Sequence, residues 1–455
     1  PLMYHPTLVA EAQQRLEHVY REALPHGLIR FPVAVCAQMA QRLAGAVDAQ
    51  GAPTRSLTPE EDAFIANERL LTKIDFRYWA ERYCKIRGDR GLQSIFPFFE
   101  PQTIVLDRLA ALQLQRQQEG HPDGLLANIL KARQEGISTI SQALIAHRIT
   151  THTHVNALTA SDVPENSGSE GIFGKFELII DHLPWYLRPA TKFHKKDTHW
   201  VFGNGSWMNV ESGKSMKGGL QEQGGVKGNL GRSRTYTVGH LTELSTWDRP
   251  EQIDDGLLPA VPRSPRTLFL KESTAKGRHN WHHEDWLEAV RGNGQGAVGG
   301  RFIAIFLPWY ALAKNWLPAP TAWLPDPTTT AHAQKAETEG PTWLGRPVRL
   351  SKDQLYWYEQ TRGDYTRKGM LGKFLEEQAA DPEECFQHAG RSIFGIEALQ
   401  YLDSLAKPMI DCWSVNVARD LAEIRTADLE RIRLAKSLAA TVVDSPAGET
   451  VESGR

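Results

Sequence analysis

Through the middle of the chain, short apolar runs alternate with stretches of helical periodicity. Residues 125–130 form an apolar run of strand length, and Ile140, Leu144, Ile145 and Ile149 then recur at helical spacing. Residues 155–160 read as a second buried strand, and 172–183 as a helix closed by Pro184. Further strand-like runs lie at 235–243, 266–272 and 302–307. Strands alternating with helices predict an α/β domain built on a parallel sheet. The rhythm breaks at 198–210, where Asn204-Gly205 between two strand-like runs predicts a hairpin.

The flanks read differently. Residues 1–90 form a helical N-terminal region: 8–20 is amphipathic, 31–47 is rich in apolar residues, and Thr58-Pro59 supplies an N-cap followed by proline at the first helical position. Residues 91–317 hold the α/β core. Residues 318–345, rich in Pro, Thr and Ala, read as a linker. A helical appendage is expected over 346–425, with Ser351 as an N-cap, and 426–455 reads as a charged helix followed by a polar tail.

Composition narrows the function classes. At 455 residues the chain has room for two or three domains, and its net charge of −2 gives no global basic field for nucleic acid. The most basic stretch sets Lys214, Lys217, Lys227, Arg232 and Arg234 among glycines. It suits contact with a phosphate backbone and equally a solvated loop. Cys36, Cys84, Cys385 and Cys412 are too scattered for a zinc or disulfide framework, which favours free thiols in a reducing cytoplasm. No apolar run is long enough to span a membrane, so no membrane partner is expected.

Candidate chemistry centres on the junction after the first strand, Lys131-Ala132-Arg133-Gln134-Glu135-Gly136-Ile137-Ser138-Thr139. Strand, loop and helix are the setting of a phosphate-binding loop, in which backbone N–H groups and the helix N-terminus cradle phosphates. Against the pattern G-x-x-x-x-G-K-[ST], Gly136 is the second glycine and Ser138 the Mg²⁺-binding hydroxyl. Ile137 stands where the lysine belongs and Lys131 where the first glycine belongs. A lysine at the front of the loop reaches phosphates from the other side, with Arg133 adding charge. An ordinary β-turn-α connection is the competing reading.

Three more features bear on this. The strand ending at Glu243 has the form of a Walker B motif, a buried strand followed by Asp-Glu, except that Thr242 holds the Asp position. Ser273 and Thr274 end the next strand, placed to sense a γ-phosphate. Gln102 opens a helix about 30 residues before the loop and resembles the adenine-reading glutamine of translocating ATPases, with a solvent-facing glutamine at a helix start as the competing reading. His279 and His283 share a helical face but have no third metal ligand at a suitable spacing.

Taken together, Lys131–Thr139, His240-Leu-Thr242-Glu243 with Trp247, and Glu272-Ser273-Thr274 resemble the large terminase subunits of tailed phages, in which the Walker A lysine is often moved to the front of the loop. The resemblance implies an ASCE/RecA-like P-loop NTPase, with ATP and Mg²⁺ as cofactors. Gln102 and residues 131–139 would bind nucleotide, Ser138 would hold Mg²⁺ with help from Thr242, and Glu243 with Arg133 would be catalytic. Ser273 and Thr274 would couple hydrolysis to movement. It further implies self-association into a ring, with an arginine of the neighbouring subunit completing the site; Arg148, Arg232 and Arg234 are the candidates. Double-stranded DNA, the portal protein and the small terminase subunit would be partners, in the host cytoplasm and transiently on the procapsid. No acid-bearing strand follows Phe394, so a motor without its nuclease is expected. The alternatives are a helicase-like or remodelling ATPase, which requires a second RecA-like domain, and a non-catalytic assembly protein with a decayed loop.

Overall fold

The computed structural model describes residues 28–48, 51, 53–88, 91–213, 234–294, 299–312, 314–345 and 348–386. The amphipathic stretch at 8–20, the basic residues Lys214, Lys217, Lys227 and Arg232, the tail at 426–455 and the region after Phe394 lie outside them. Helices α1 (Val33–Ala44), α2 (Pro59–Ile74) and α3 (Phe76–Tyr83) precede a small hairpin of β1 (Lys85–Gly88) and β2 (Gly91–Ser94). Helix α4 (Glu100–Glu119) then leads to β3 (Leu125–Lys131), and α5 (Ile137–Thr151) follows it. Next come β4 (Asn156–Ser161), α6 (Pro164–Ser167), α7 (Ile172–Asp181), β5 (Thr191–Lys195), β6 (His199–Phe202) and β7 (Trp207–Ser212). Beyond these are β8 (Val238–Thr242), β9 (Leu268–Ser273), α8 (Trp281–Gly292) and β10 (Ile303–Leu307). A closing helical group comprises α9 (Pro327–Leu344), α10 (Lys352–Arg367), α11 (Leu371–Glu377) and α12 (Pro382–Phe386).

Strands β3 to β10 form one sheet in the order β10-β3-β9-β8-β4-β7-β6-β5. The first six pair in parallel, and β6 and β5 add an antiparallel edge through the turn at Asn204-Gly205. The sequence therefore describes an α/β core correctly. Strand β3 shows why its run is almost continuously apolar: all seven residues are buried. Leu125, Ala127 and Ile129 face one apolar cluster, shared with α4, α5 and α7. Leu126 and Leu130 face two others, on the side covered by α8. Both faces of a parallel sheet are thus covered, so side-chain alternation gives way to unbroken hydrophobicity. Parallel pairing also brings the C-terminal ends of β3, β8 and β9 to one edge, where ligands bind in open α/β sheets.

Local signals explain the first helices. Thr58 Oγ1 accepts a hydrogen bond from the Glu61 N–H (3.3 Å), and the Glu61 carboxylate accepts one from the Thr58 N–H (2.9 Å), a reciprocal cap on α2.

The linker expected at 318–345 is corrected. Residues Pro327–Leu344 form helix α9, capped by Asp326, whose carboxylate accepts from the Thr329 N–H (2.6 Å). Composition misled here because Pro327 sits at the first helical turn, where its missing N–H costs nothing, and because the stabilising contacts are tertiary. Trp309, just after β10, stacks on His332 of α9 and Tyr358 of α10 at centroid distances of 5.7 and 5.5 Å. Ala336, Phe374 and Leu375 complete this cluster, and so does Ala132, the first residue after β3. The closing helices are therefore packed onto the loop itself. Trp309→Ala is expected to cost about 3–5 kcal/mol and to expose residues 327–386 to limited proteolysis. Unchanged stability in urea denaturation would remove Trp309 as the anchor.

Candidate active site

The site is built at the carboxyl edge of β3, β9 and β8. Residues 132–136 leave β3 and turn into α5 through Gln134 (φ 64°) and Gly136 (φ 74°). A Cβ at Gly136 would lie 2.7 Å from Gln102 Nε2 and 3.1 Å from a Phe99 ring carbon, so both φ and space require glycine. Gln102 is buried, and its amide is used internally. Its Oε1 accepts from the Phe99 N–H (2.9 Å), and its Nε2 donates to the Gly136 carbonyl (2.9 Å). This corrects the adenine-reading role: Gln102 is an anchor between α4 and the loop.

The loop residues divide by where they point. Ile137, at the usual lysine position, is buried in the apolar core, so no cation acts from there. Lys131, at the end of β3, is buried, with its Nζ 3.3 Å from Glu272 Oε2. Burial pulls its pKa down, but Glu272, then Glu243 and Glu135, push it above the ordinary lysine value. It therefore stays charged. Arg133 is 57% exposed and pairs with Glu377 of α11 (2.6 Å), while its backbone N–H donates to the Glu377 carbonyl (2.8 Å). Glu377 engages the guanidinium through Nη1, which leaves its other N–H donors for a ligand. Ala132 is buried, and its N–H donates to the Leu307 carbonyl (3.0 Å), extending the β3–β10 ladder. Thr139, in the first turn of α5, is half-buried.

Glu272 has no role of its own in the sequence reading, where it only precedes Ser273 and Thr274, yet the polar contacts of the site converge on it. Its side chain has no solvent exposure. Oε1 accepts hydrogen bonds from Ser138 Oγ (2.5 Å), Thr242 Oγ1 (2.8 Å) and His240 Nε2 (3.2 Å). Gln142 Nε2 approaches His240 Nδ1 (2.8 Å) and also donates to Thr159 Oγ1 (2.9 Å), which assigns His240 the tautomer with its proton on Nε2. Burial raises the Glu272 pKa, but Lys131, His240 and Ser138 more than offset this and hold it below the usual carboxylate range. Thr242, expected to assist Mg²⁺, spends its hydroxyl on this carboxylate.

Glu243 follows directly. Its backbone is left-handed (φ 56°), an uncommon state for a non-glycine residue and one that favours a functional explanation. Burial raises its pKa, with Lys131 opposing and Glu272 and Asp162 adding to the shift. A carboxyl with a raised pKa, within electrostatic reach of the loop lysine, is suited to accepting a proton. Ser273 Oγ accepts from the Ser245 N–H (3.1 Å) and donates to Ser245 Oγ (3.0 Å), tying the end of β9 to the turn after Glu243. Thr274 beside it is half-buried. The structure also brings in Lys175 of α7, which no sequence motif marks. It is half-buried and has Glu272 as its charged neighbour.

The arginine candidates lie elsewhere. Arg148 is 11 residues along α5 from Ile137, roughly 16 Å at 1.5 Å per residue, beside a cleft lined also by Lys73 and His152. Arg234 precedes β8, with its guanidinium over the Trp207 ring (5.5 Å).

Solved structures similar to this chain include phage large terminases. The ATPase domain of the Thermus phage P74-26 large terminase is 14% identical with a TM-score of 0.35, over 59% of this chain and 92% of that one. The HK97 bacteriophage large terminase is 12% identical with a TM-score of 0.41, over 68% and 55%. A large terminase from another thermophilic bacteriophage is 12% identical with a TM-score of 0.33, over 46% and 45%. No protein-family model and no curated protein matches the sequence. At these scores the likeness carries no argument about chemistry, which rests on the geometry.

Glu135 offers a pH test. It is buried, neither carboxylate oxygen has a hydrogen-bond partner among the described residues, and burial raises its pKa well above the ordinary 4.5. The unfolded chain releases this proton first, so stability falls as pH rises from about 4.5 towards the folded-state value. Glu135→Gln cannot ionise. Its thermal stability is expected to gain on wild type as pH rises above about 5, by up to about 1.4 kcal/mol per pH unit, until the folded-state carboxyl ionises. A difference that does not change with pH would mean the carboxyl is already ionised in the fold.

Proposed function

We propose that the chain is an ATPase whose phosphate-binding loop is residues 131–139. The observation that carries this reading is the convergence of Lys131 and Ser138 on one buried acid at the carboxyl edge of a parallel sheet, with Glu243 tied to the same residue by its backbone N–H, which donates to the Glu272 carbonyl (3.0 Å). A loop between a parallel strand and a helix N-terminus presents backbone N–H groups to phosphate oxygens. Lys131 supplies positive charge from the front of the loop, the role that Ile137 cannot fill. The hydroxyl of Ser138 and the carboxylates around it are hard oxygen donors of the kind Mg²⁺ takes. When bound with the nucleotide, Mg²⁺ neutralises charge on the β- and γ-phosphates.

Glu243 accepts the proton of the attacking water, its raised pKa bringing it closer to the working range of a base. Ser273, bonded to the turn after Glu243, and Thr274 register whether a γ-phosphate is present. Arg133 adds phosphate charge through the N–H donors that Glu377 leaves. The resemblance to terminases extends this to a packaging motor that drives double-stranded DNA into a procapsid. It would work as a ring, with the portal protein and the small terminase subunit as partners. In such a ring the distant Arg148 and Arg234 are free to serve a neighbour's loop.

ATP turnover with and without linear double-stranded DNA tests both levels. Lys131→Ala and Glu243→Gln are each expected to lower turnover by at least about 100-fold, and DNA to stimulate the wild type. Turnover surviving in Lys131→Ala would place the phosphate loop elsewhere. Turnover indifferent to DNA would leave an ATPase but not a DNA motor.

A further inference from the structure

The Walker B pattern leaves a gap at Thr242, where an acid is expected, and the structure fills it from the neighbouring strand. In the parallel β8–β9 ladder, Thr242 and Glu272 are register partners. The missing carboxylate therefore sits directly across the ladder, bonded to the threonine that replaced it. We propose that Glu272 is the carboxylate that faces the nucleotide-bound divalent cation, in place of an acid at position 242. This assignment rests on the ATPase reading above.

Two features of the carboxylate support it. Ser138, the loop hydroxyl expected at the metal, donates to Glu272 Oε1 (2.5 Å), so the metal-side residue of the loop and this acid already share one location. The two oxygens are also used unequally. Oε1 takes all three hydrogen bonds, whereas Oε2 is buried without any and has only the ammonium of Lys131 at 3.3 Å. A buried carboxylate oxygen free of hydrogen bonds is open to a cation or to water bound to one. His240 and Thr242 orient the group through Oε1, as outer partners orient a metal-facing carboxylate.

The lysine contact gives the arrangement a second consequence. Lys131 is the only cation within ion-pair distance of Oε2 among the described residues. When a nucleotide draws Lys131 to its phosphates, the negative charge left on Glu272 is answered by the divalent ion that arrives with the nucleotide. Lysine and metal thus exchange places on one oxygen, which keeps the buried carboxylate compensated in both states.

The test uses the full chain with Mn²⁺ in place of Mg²⁺. Bound Mn²⁺ is read from the loss of the free-ion electron paramagnetic resonance signal in the presence of ADP. Metal-free binding of fluorescent ADP is measured separately in EDTA. Glu272→Gln is expected to weaken Mn²⁺ binding about 10–100-fold while metal-free ADP binding is kept. Because Glu272 is buried, a second variant guards against a folding effect. The exchange Thr242→Asp with Glu272→Thr returns the acid to β8 and is expected to recover most of the Mn²⁺ affinity. Wild-type Mn²⁺ affinity in Glu272→Gln, or a folded exchange variant without recovery, would each overturn the assignment. A wild-type chain that binds no ADP in either condition would instead overturn the ATPase reading and this inference with it.

Discussion

A carboxylate with no solvent exposure must have its charge answered from within the fold, and at Glu272 this requirement organises the site. Lys131 from β3 supplies the opposite charge, Ser138 from α5 and Thr242 and His240 from β8 supply hydrogen bonds, and Glu272 itself belongs to β9. One side chain therefore ties three strand ends and the loop helix together. Leaving one member of such a buried pair without its partner costs on the order of 3–5 kcal/mol. The geometry is correspondingly specific, and any ligand that claims Lys131 must bring compensation for the acid left behind.

The same economy of partners links the loop to the helices behind it. Ala132 is packed in the aromatic cluster of Trp309, Tyr358 and Phe374. Arg133 is engaged by Glu377 through both its side chain and its backbone. These two contacts fix the position of α11 relative to the loop. Ser273 does the corresponding work on the other side, joining β9 to the turn that carries Glu243. The residues expected to sense a nucleotide are thus those that hold neighbouring elements in place.

Much of this is legible from local pattern. The buried strand at 125–130, the helix after it, the Asn204-Gly205 hairpin and the Thr58 cap follow from periodicity and turn chemistry, which act over a few residues. The placement of Lys131, Ser138 and Glu243 at the ends of β3, α5 and β8 is likewise legible, because each is read relative to a strand end. Gln102 misleads because an amide at a helix start looks the same in sequence whether it meets a base or a backbone carbonyl. Residues 318–345 mislead because composition cannot report that Trp309 and Tyr358 wait to pack against a helix there.

By itself, then, the sequence determined the strands and helices of the α/β core, and that a glycine-bearing loop joins one strand to one helix. Those properties are set by the spacing of apolar residues and by backbone preferences. Only the tertiary structure decided which acid the loop meets. Thr242 and Glu272 are 30 residues apart in the chain, and nothing local relates them. They become partners through the strand order, which inserts β9 between β3 and β8. Strand order is the outcome of long-range packing, and through it the Thr242 hydroxyl comes to donate to the Glu272 carboxylate on the next strand.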